Sequence, residues 1–308
     1  MCRVRNEQQI QDWLGGGGWP LHTIGQRMIE LAKQEPSCAY RWCVRDVRQG
    51  TCHVFNEHMA GPASSTRKLY ILVTTLLLVE RAELALEETL VVDNSRAGNQ
   101  TCGGLWLLDS PRTFTIGELL KLMMGLSDNV ATFYLVERIG LQRMNALSTD
   151  LGLRQTRHLS SVPSQALTAD HSLDAVNTTT AWDLATALSF LVDGAEGRLP
   201  QGGTFIGQRL SRFGLDAMLA QQDTTAVRSW MDEVGHIGDK QGVGYRNYNN
   251  VGYLVRDGSV RMVFSFIVDD LHRMEEPRPA FAHARDFIAL FFRLLDDSSK
   301  LQSPSKDS

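Results

Sequence analysis

The sequence predicts an α+β protein of two lobes: a five-stranded antiparallel sheet flanked by N- and C-terminal helices, and an all-α lobe inserted between its strands. Three observations predict it. A helix-spaced run and two strand-like runs open the folded part, three more strand-like runs and a helix close it, and the stretch between keeps a helical period. Antiparallel pairing then lets both ends of the chain build one sheet. On this reading residues 1–20 are a flexible leader, 21–297 form one domain and 298–308 are a disordered tail. Within the domain, 21–60 and 204–297 supply the sheet lobe and 61–203 the helical lobe.

The leader closes on Gly15-Gly16-Gly17-Gly18-Trp19-Pro20, a spacer with little to pack. Ile24, Met28 and Leu31 then recur at helical spacing, and Ala39 to Val47 and Thr51 to Phe55 read as strands joined across Arg48-Gln49-Gly50. Leu69 to Val79 is apolar on every face, which marks a helix buried all round. It is too short for a membrane span of ~20 residues. Thr115 with Glu118 makes a capping box that starts a helix toward Gly125, and a further helix runs from Val130 to Gly140. From Leu151 to Asn177 the period fades, as in a functional loop. Thr178-Thr179-Thr180 precedes a helix from Ala181 to Val192, and another spans Phe205 to Ala220. Strands follow at His236 to Gly242, Val251 to Arg256 and Val260 to Val268, the last two joined by the hairpin dipeptide Asp257-Gly258. The closing helix, Ala280 to Leu295, carries Phe281, Ile288, Phe291 and Phe292 to pack on the sheet.

Composition narrows the function. With 43% hydrophobic residues the 308-residue chain can bury a full core, and a net charge of -4 without a dense Lys/Arg stripe removes the electrostatic basis for nucleic-acid binding. The first nine residues lack the apolar core of a secretory signal. Five scattered cysteines, Cys2, Cys38, Cys43, Cys52 and Cys102, suit free thiols in a reducing compartment, so a cytoplasmic location is expected. The eight histidines form no HxxxH pair, and neither a metal nor another cofactor is expected.

Chemistry enters at Ser65-Thr66-Arg67-Lys68, where the buried helix is expected to start. Side chains three apart share a helix face, so the Ser65 hydroxyl and the Lys68 amine can touch. Burial disfavours the charged amine, and a neutral Lys68 could activate Ser65 as a nucleophile. Alone, the pair reads equally as a helix-capping serine and a solvated lysine, and Ser303 to Lys306 repeats it in the polar tail. Two further motifs change the weighing: Ser127-Asp128-Asn129 at a helix junction and Lys240-Gln241-Gly242 on a strand.

Together these three motifs resemble the class A β-lactamases, within the wider group of penicillin-binding serine enzymes. Supporting matches are Gly103-Gly104-Leu105, Asn177-Thr178-Thr179-Thr180 and Asn249-Asn250-Val251-Gly252, so the resemblance runs from about Met28 to Leu294. It implies a β-lactamase-like two-lobe fold in which Ser65 attacks an amide, lactam or ester carbonyl and Lys68 takes its proton. It further implies that Ser127 relays a proton to the leaving nitrogen, Asn129 binds the substrate's side-chain amide, and Lys240 tunes the field and helps bind a carboxylate. Gln241 and Gly242 would line the substrate, and the backbone N–H groups of Ser65 and Val243 would hold the oxyanion. Asp128 reads as structural.

Two departures stand out. Gln241 replaces the family's short hydroxyl residue, and Ser164 falls where the family carries the loop glutamate that activates the deacylating water; no Glu lies between Glu137 and Glu196. Asp170, or Asp174, is the nearest substitute base. The expectation is therefore a serine hydrolase with impaired deacylation, acting on a small molecule, with neither nucleic-acid nor membrane partners. An intracellular acyltransferase, esterase or peptidase on the same fold is the alternative, and a catalytically silent binding protein the other.

Overall fold

The computed structural model describes residues 21–98, 100–162, 166–198, 205–223, 227–228, 237–274 and 280–300. The expected leader and the end of the expected tail lie outside the described residues. In chain order come α1 (Leu21–Ala32), β1 (Ala39–Asp46), β2 (Thr51–Phe55), β3 (Gly61–Pro62), α2 (Lys68–Glu80), β4 (Thr89–Val92), β5 (Arg112–Thr115), α3 (Ile116–Gly125), α4 (Asn129–Ile139) and α5 (Leu141–Asp150). Then follow β6 (Thr178–Thr179), α6 (Ala181–Ala195), α7 (Gln208–Leu219), β7 (Ile237–Val243), β8 (Tyr248–Arg256), β9 (Ser259–Asp269) and α8 (Ala280–Lys300).

The five-stranded sheet has the order β2-β1-β9-β8-β7 with every neighbour antiparallel. Chain ends meet at β1 and β9, in register from Ala39 opposite Asp269 to Asp46 opposite Met262. Asp257 and Gly258 have φ of 52° and 73°, the two left-handed positions that a tight hairpin turn between twisted strands requires. Alternation along the strands sends side chains to opposite faces. Trp42, Phe264 and Phe266 pack with Phe291 and Phe292 of α8 and with Ile24 and Met28 of α1, whereas Cys43, Val263 and Ile267 point into the core shared with the helices.

That second core is organised by α2, in which every residue from Lys68 to Leu78 is buried. It contacts α3, α4, α5, α6 and α7, and a helix enclosed on so many sides has no use for a polar face. Among the described residues no helix is long and apolar enough to cross a membrane.

Several details differ from the sequence expectation. The α-helix begins at Lys68, not Ser65; Ser64–Arg67 form a 3₁₀ turn leading into it. The lobe expected to be all-helical also carries two ribbons, β3 with β6 and β4 with β5, too short to leave a period in the sequence. Helix α5 was not anticipated, its apolar residues being sparse. Leu210, Leu215 and Met218 of α7, grouped by sequence with the sheet, pack into the helical core. Helix α8 continues to Lys300, past the expected boundary at 297.

Candidate active site

The 3₁₀ turn carrying Ser65 is held in place by two asparagines, Asn247 in the turn before β8 and Asn249 on β8. Asn249 donates to the carbonyls of Pro62 (2.8 Å) and Ala63 (3.2 Å), and Asn247 Nδ2 donates to Asn249 Oδ1 while its own Oδ1 accepts from Ser64 Oγ at 3.0 Å. Ser64 takes φ of 44°, an uncommon conformation for a residue with a side chain, in the step that leads to Ser65. In the turn that follows, residues i and i+3 eclipse, and Lys68 Nζ comes to lie 3.2 Å from Ser65 Oγ.

Ser127 is delivered from the junction of α3 and α4, also at positive φ (55°). Its neighbour Asp128 fixes the junction: Oδ1 accepts from Ala131 N at 2.8 Å as the cap of α4, and Oδ2 accepts from Gly104 N at 2.7 Å and Leu105 N at 2.8 Å. Gly103 must lack a Cβ, since one would stand 2.3 Å from Asp128 Oδ2. Lys68 Nζ reaches Ser127 O at 2.7 Å, Ser127 Oγ at 2.9 Å and Asn129 Oδ1 at 2.8 Å. A neutral amine has two N–H bonds and one lone pair. Donation to the two pure acceptors, Ser127 O and Asn129 Oδ1, leaves the lone pair for a serine hydroxyl. Burial first, and then the charge of Lys240, lowers Lys68 to about 7.

Strand β7 brings the remaining motif alongside. Lys240 is fully buried, donates to Gln241 O at 2.9 Å, and is lowered to about 8, chiefly by burial. Gln241 Oε1 accepts from Tyr248 Oη at 3.0 Å, which leaves its NH₂ as the free end of the longer side chain. Gly242 presses against the turn so closely that a Cβ would lie 2.8 Å from Thr66 N and 3.0 Å from Ser65 N. Val243 follows at the mouth, half exposed.

A cavity of about 540 Å³ opens between Ser65, the end of β7 and the loop from 160 to 177, and Lys68, Asn129 and Val243 line it. Two of the expected deacylation candidates do not enter it. Asp170 is exposed and occupied by the Thr168 hydroxyl, which, with the backbone bond from His171 N to Thr168 O, turns it outward. Its carboxyl is lowered by the same Thr168 bond. Asp174 is exposed and paired with Arg157. Ser164 lies outside the described residues.

Sequence reading missed four groups at the cavity: Arg67, Asn177, His171 and Asn247. Asn177 Oδ1 accepts from Leu159 N (2.7 Å) and Ser160 N (3.1 Å), which closes the loop at its neck. His171 Nδ1 bonds Thr168 O at 2.7 Å, while its Nε2 is buried without a partner among the described residues. Only Asn177 had a signal, its place in the motif before Thr178. Among the described residues no group of three or more His, Cys, Asp or Glu side chains could hold a metal ion.

With that geometry established, comparison with known proteins gives a consistent result. The model of the beta-lactamase enzyme family matches residues 24–289. Among solved structures, a PBP-A mutant in an acyl-enzyme complex with penicillin G superposes with a TM-score of 0.74 at 20% identity, covering 92% of this chain and 98% of that one. A beta-lactamase from Sphaerobacter thermophilus gives 0.75 at 20% identity over 92% and 98%. An ancestral class A beta-lactamase gives 0.74 at 20% over 89% and 99%. No curated protein matches by sequence.

Proposed function

The chain belongs to the beta-lactamase enzyme family, and from that premise we propose that it is an active-site serine hydrolase acylated on Ser65 by an amide, lactam or ester carbonyl. The observation that carries this reading is the buried Lys68 amine within reach of both Ser65 Oγ and Ser127 Oγ. Lys68 takes the Ser65 proton as Oγ attacks the carbonyl carbon, and the backbone N–H groups of Ser65 and Val243 receive the oxyanion. Ser127 passes a proton to the leaving nitrogen, the C–N bond breaks, and an ester on Ser65 remains. Asn129 orients the substrate's amide. Lys240 and the free NH₂ of Gln241 receive a carboxylate on the leaving-group side, Gln241 reaching further than a hydroxyl would.

Release of the acyl group needs a base beside a water. Asp170 faces solvent, and no Asp or Glu lines the cavity among the described residues. We therefore read deacylation by water as slow. The same observation favours a second reading, in which a nucleophilic acceptor molecule takes the acyl group and the protein works as an acyltransferase. Residues 21–297 are read as one catalytic domain. The described cysteines, Cys38, Cys43, Cys52 and Cys102, are free thiols, which supports a cytoplasmic setting.

Intact-mass measurement after incubation with a fluorophosphonate and, separately, with a penicillin tests the proposal. Both reagents should add one label, mapping to Ser65 and absent in Ser65→Ala. A label on Ser64 or Ser127 would overturn the assignment of the nucleophile.

A further inference from the structure

Three consecutive large apolar side chains, Trp106, Leu107 and Leu108, are 41%, 67% and 40% exposed, and no other stretch among the described residues shows such a run. Leu126 is exposed beside them, its Cδ1 lying 3.5 Å from where a Cβ on Gly104 would stand. The run sits on a 3₁₀ turn, Leu105–Leu107, in the connection between β4 and β5. At three residues per turn successive side chains point about 120° apart, so Leu105 packs into the helical core while its successors splay outward. Contiguous exposed apolar residues of this kind mark an interaction surface. The chemistry derived above uses none of them.

The polar groups of the turn are largely answered from inside the protein. Asp128 Oδ2 accepts from Gly104 N and Leu105 N, and Asn94 Nδ2 donates to the carbonyls of Leu105 and Leu108, both at 2.9 Å. Leu107 N bonds Gly104 O and Leu108 N bonds Leu105 O, each at 3.1 Å. Trp106 Nε1 donates to Gly103 O at 3.1 Å, so the indole can enter an apolar layer without stranding its N–H. That property suits a medium that offers few hydrogen bonds. Side chains splayed around a tip share no plane on which a folded partner could lie flat, whereas fluid acyl chains close around them. Tryptophan also favours the depth at which headgroups meet acyl chains.

Charge selects the kind of lipid. Asp109 and Arg112 are both exposed at the base of the turn, where Arg112 Nε donates to Asp109 O at 2.9 Å. One charge of each sign complements a zwitterionic headgroup, which carries both, and the net charge of -4 works against an anionic surface.

We propose that the turn at 106–108 is an anchor that inserts into a zwitterionic lipid surface and holds the chain there weakly and reversibly. The sequence expectation of no membrane partner included the want of a spanning helix, and an anchor of three side chains needs none. Through Asp128 the anchor is fixed to the residue between Ser127 and Asn129, so the junction of α3 and α4 stands beside the lipid.

Sedimentation of the full chain with phosphatidylcholine vesicles tests the anchor, each variant being checked for cooperative unfolding. The unmodified chain should pellet with the vesicles, and Leu107→Asp should weaken binding about tenfold or more. Leu219→Asp, at an exposed leucine on the end of α7, should leave binding unchanged. Trp106→Phe keeps the apolar surface and should still pellet, yet should lose most of the tryptophan quenching caused by phosphatidylcholine brominated on its acyl chains. Failure to pellet, binding that appears only with anionic lipid, or equal losses in Leu107→Asp and Leu219→Asp would overturn the anchor. Quenching unchanged in Trp106→Phe would overturn it as well. Self-association without lipid that is lost in Leu107→Asp would assign the turn to a second copy of the chain instead.

Discussion

At the scale of single residues, the proposed chemistry turns on two buried lysines whose proton affinities are set by where they sit. Lys68 is lowered to about 7 and must be neutral to accept a proton, so acylation should rise with pH through about 7 and level off above it. Lys240, lowered to about 8, is charged below that value and contributes to the depression of Lys68. In Lys240→Ala that contribution is removed, and the acid limb of the rate profile should move to higher pH. A pH series of fluorophosphonate labelling rates checks both; a flat profile would remove Lys68 as the base, and an unmoved limb in the variant would remove its coupling to Lys240. Ser127 should show a substrate-dependent effect. Ser127→Ala should slow acylation by amides and lactams more than by activated esters, whose leaving groups need little protonation, and equal losses would count against the proton relay.

At the scale of elements, the site depends on two close approaches. Strand β7 touches the 3₁₀ turn through Gly242, where a side chain has no room, so Gly242→Val should displace strand and turn together. Overpacking of this kind costs about 1–3 kcal/mol, and the larger consequence should be loss of Ser65 labelling in a protein that still unfolds cooperatively. The junction of α3 and α4 depends on Asp128, which accepts three backbone N–H groups while itself fully buried. Asp128→Ala removes a helix cap and strands two more donors, a combined cost of about 3 kcal/mol or more in denaturant unfolding. Ordinary wild-type stability for that variant would mean that the loop between β4 and β5 and the α4 cap relax independently.

At the scale of the whole molecule, the loop is tied to the sheet through Arg246. Its guanidinium pairs with Asp269 at 2.7 and 3.1 Å and with Asp270, and donates to His171 O at 3.0 Å, joining the turn before β8 and the end of β9 to the wall of the cavity. Breaking such a largely buried pair by Arg246→Ala should cost about 3–5 kcal/mol. Proteolytic cleavage between 160 and 177 should quicken before global unfolding does, and unchanged protection would show that Asn177 alone closes the loop. On the same scale, acylation and release should separate in time: a penicillin should give a burst, then slow turnover with the acyl-enzyme visible by mass. Steady rapid turnover without accumulation would identify a deacylating base that neither Asp170 nor Asp174 is placed to supply.

What the sequence determined by itself was whatever is written locally. The apolar run Leu69 to Val79, the Thr115-to-Glu118 capping box and the Asp257-Gly258 turn each state their own conformation, because helical period, cap chemistry and left-handed turn residues act over a few neighbours. The three motifs put Ser65, Lys68, Ser127, Asn129 and Lys240 forward as candidates for the same reason, the spacing inside each motif being a local property of the chain. Tertiary structure decided the rest. The ribbons β3 with β6 and β4 with β5 join segments far apart in sequence and too short to carry a pattern. Arg67 looked like one more charged residue of a motif, and Asp170 like a spare base. Only folding buries the first, with its side edge unpaired among the described residues, and turns the second to solvent, since burial and partner choice arise from residues distant along the chain.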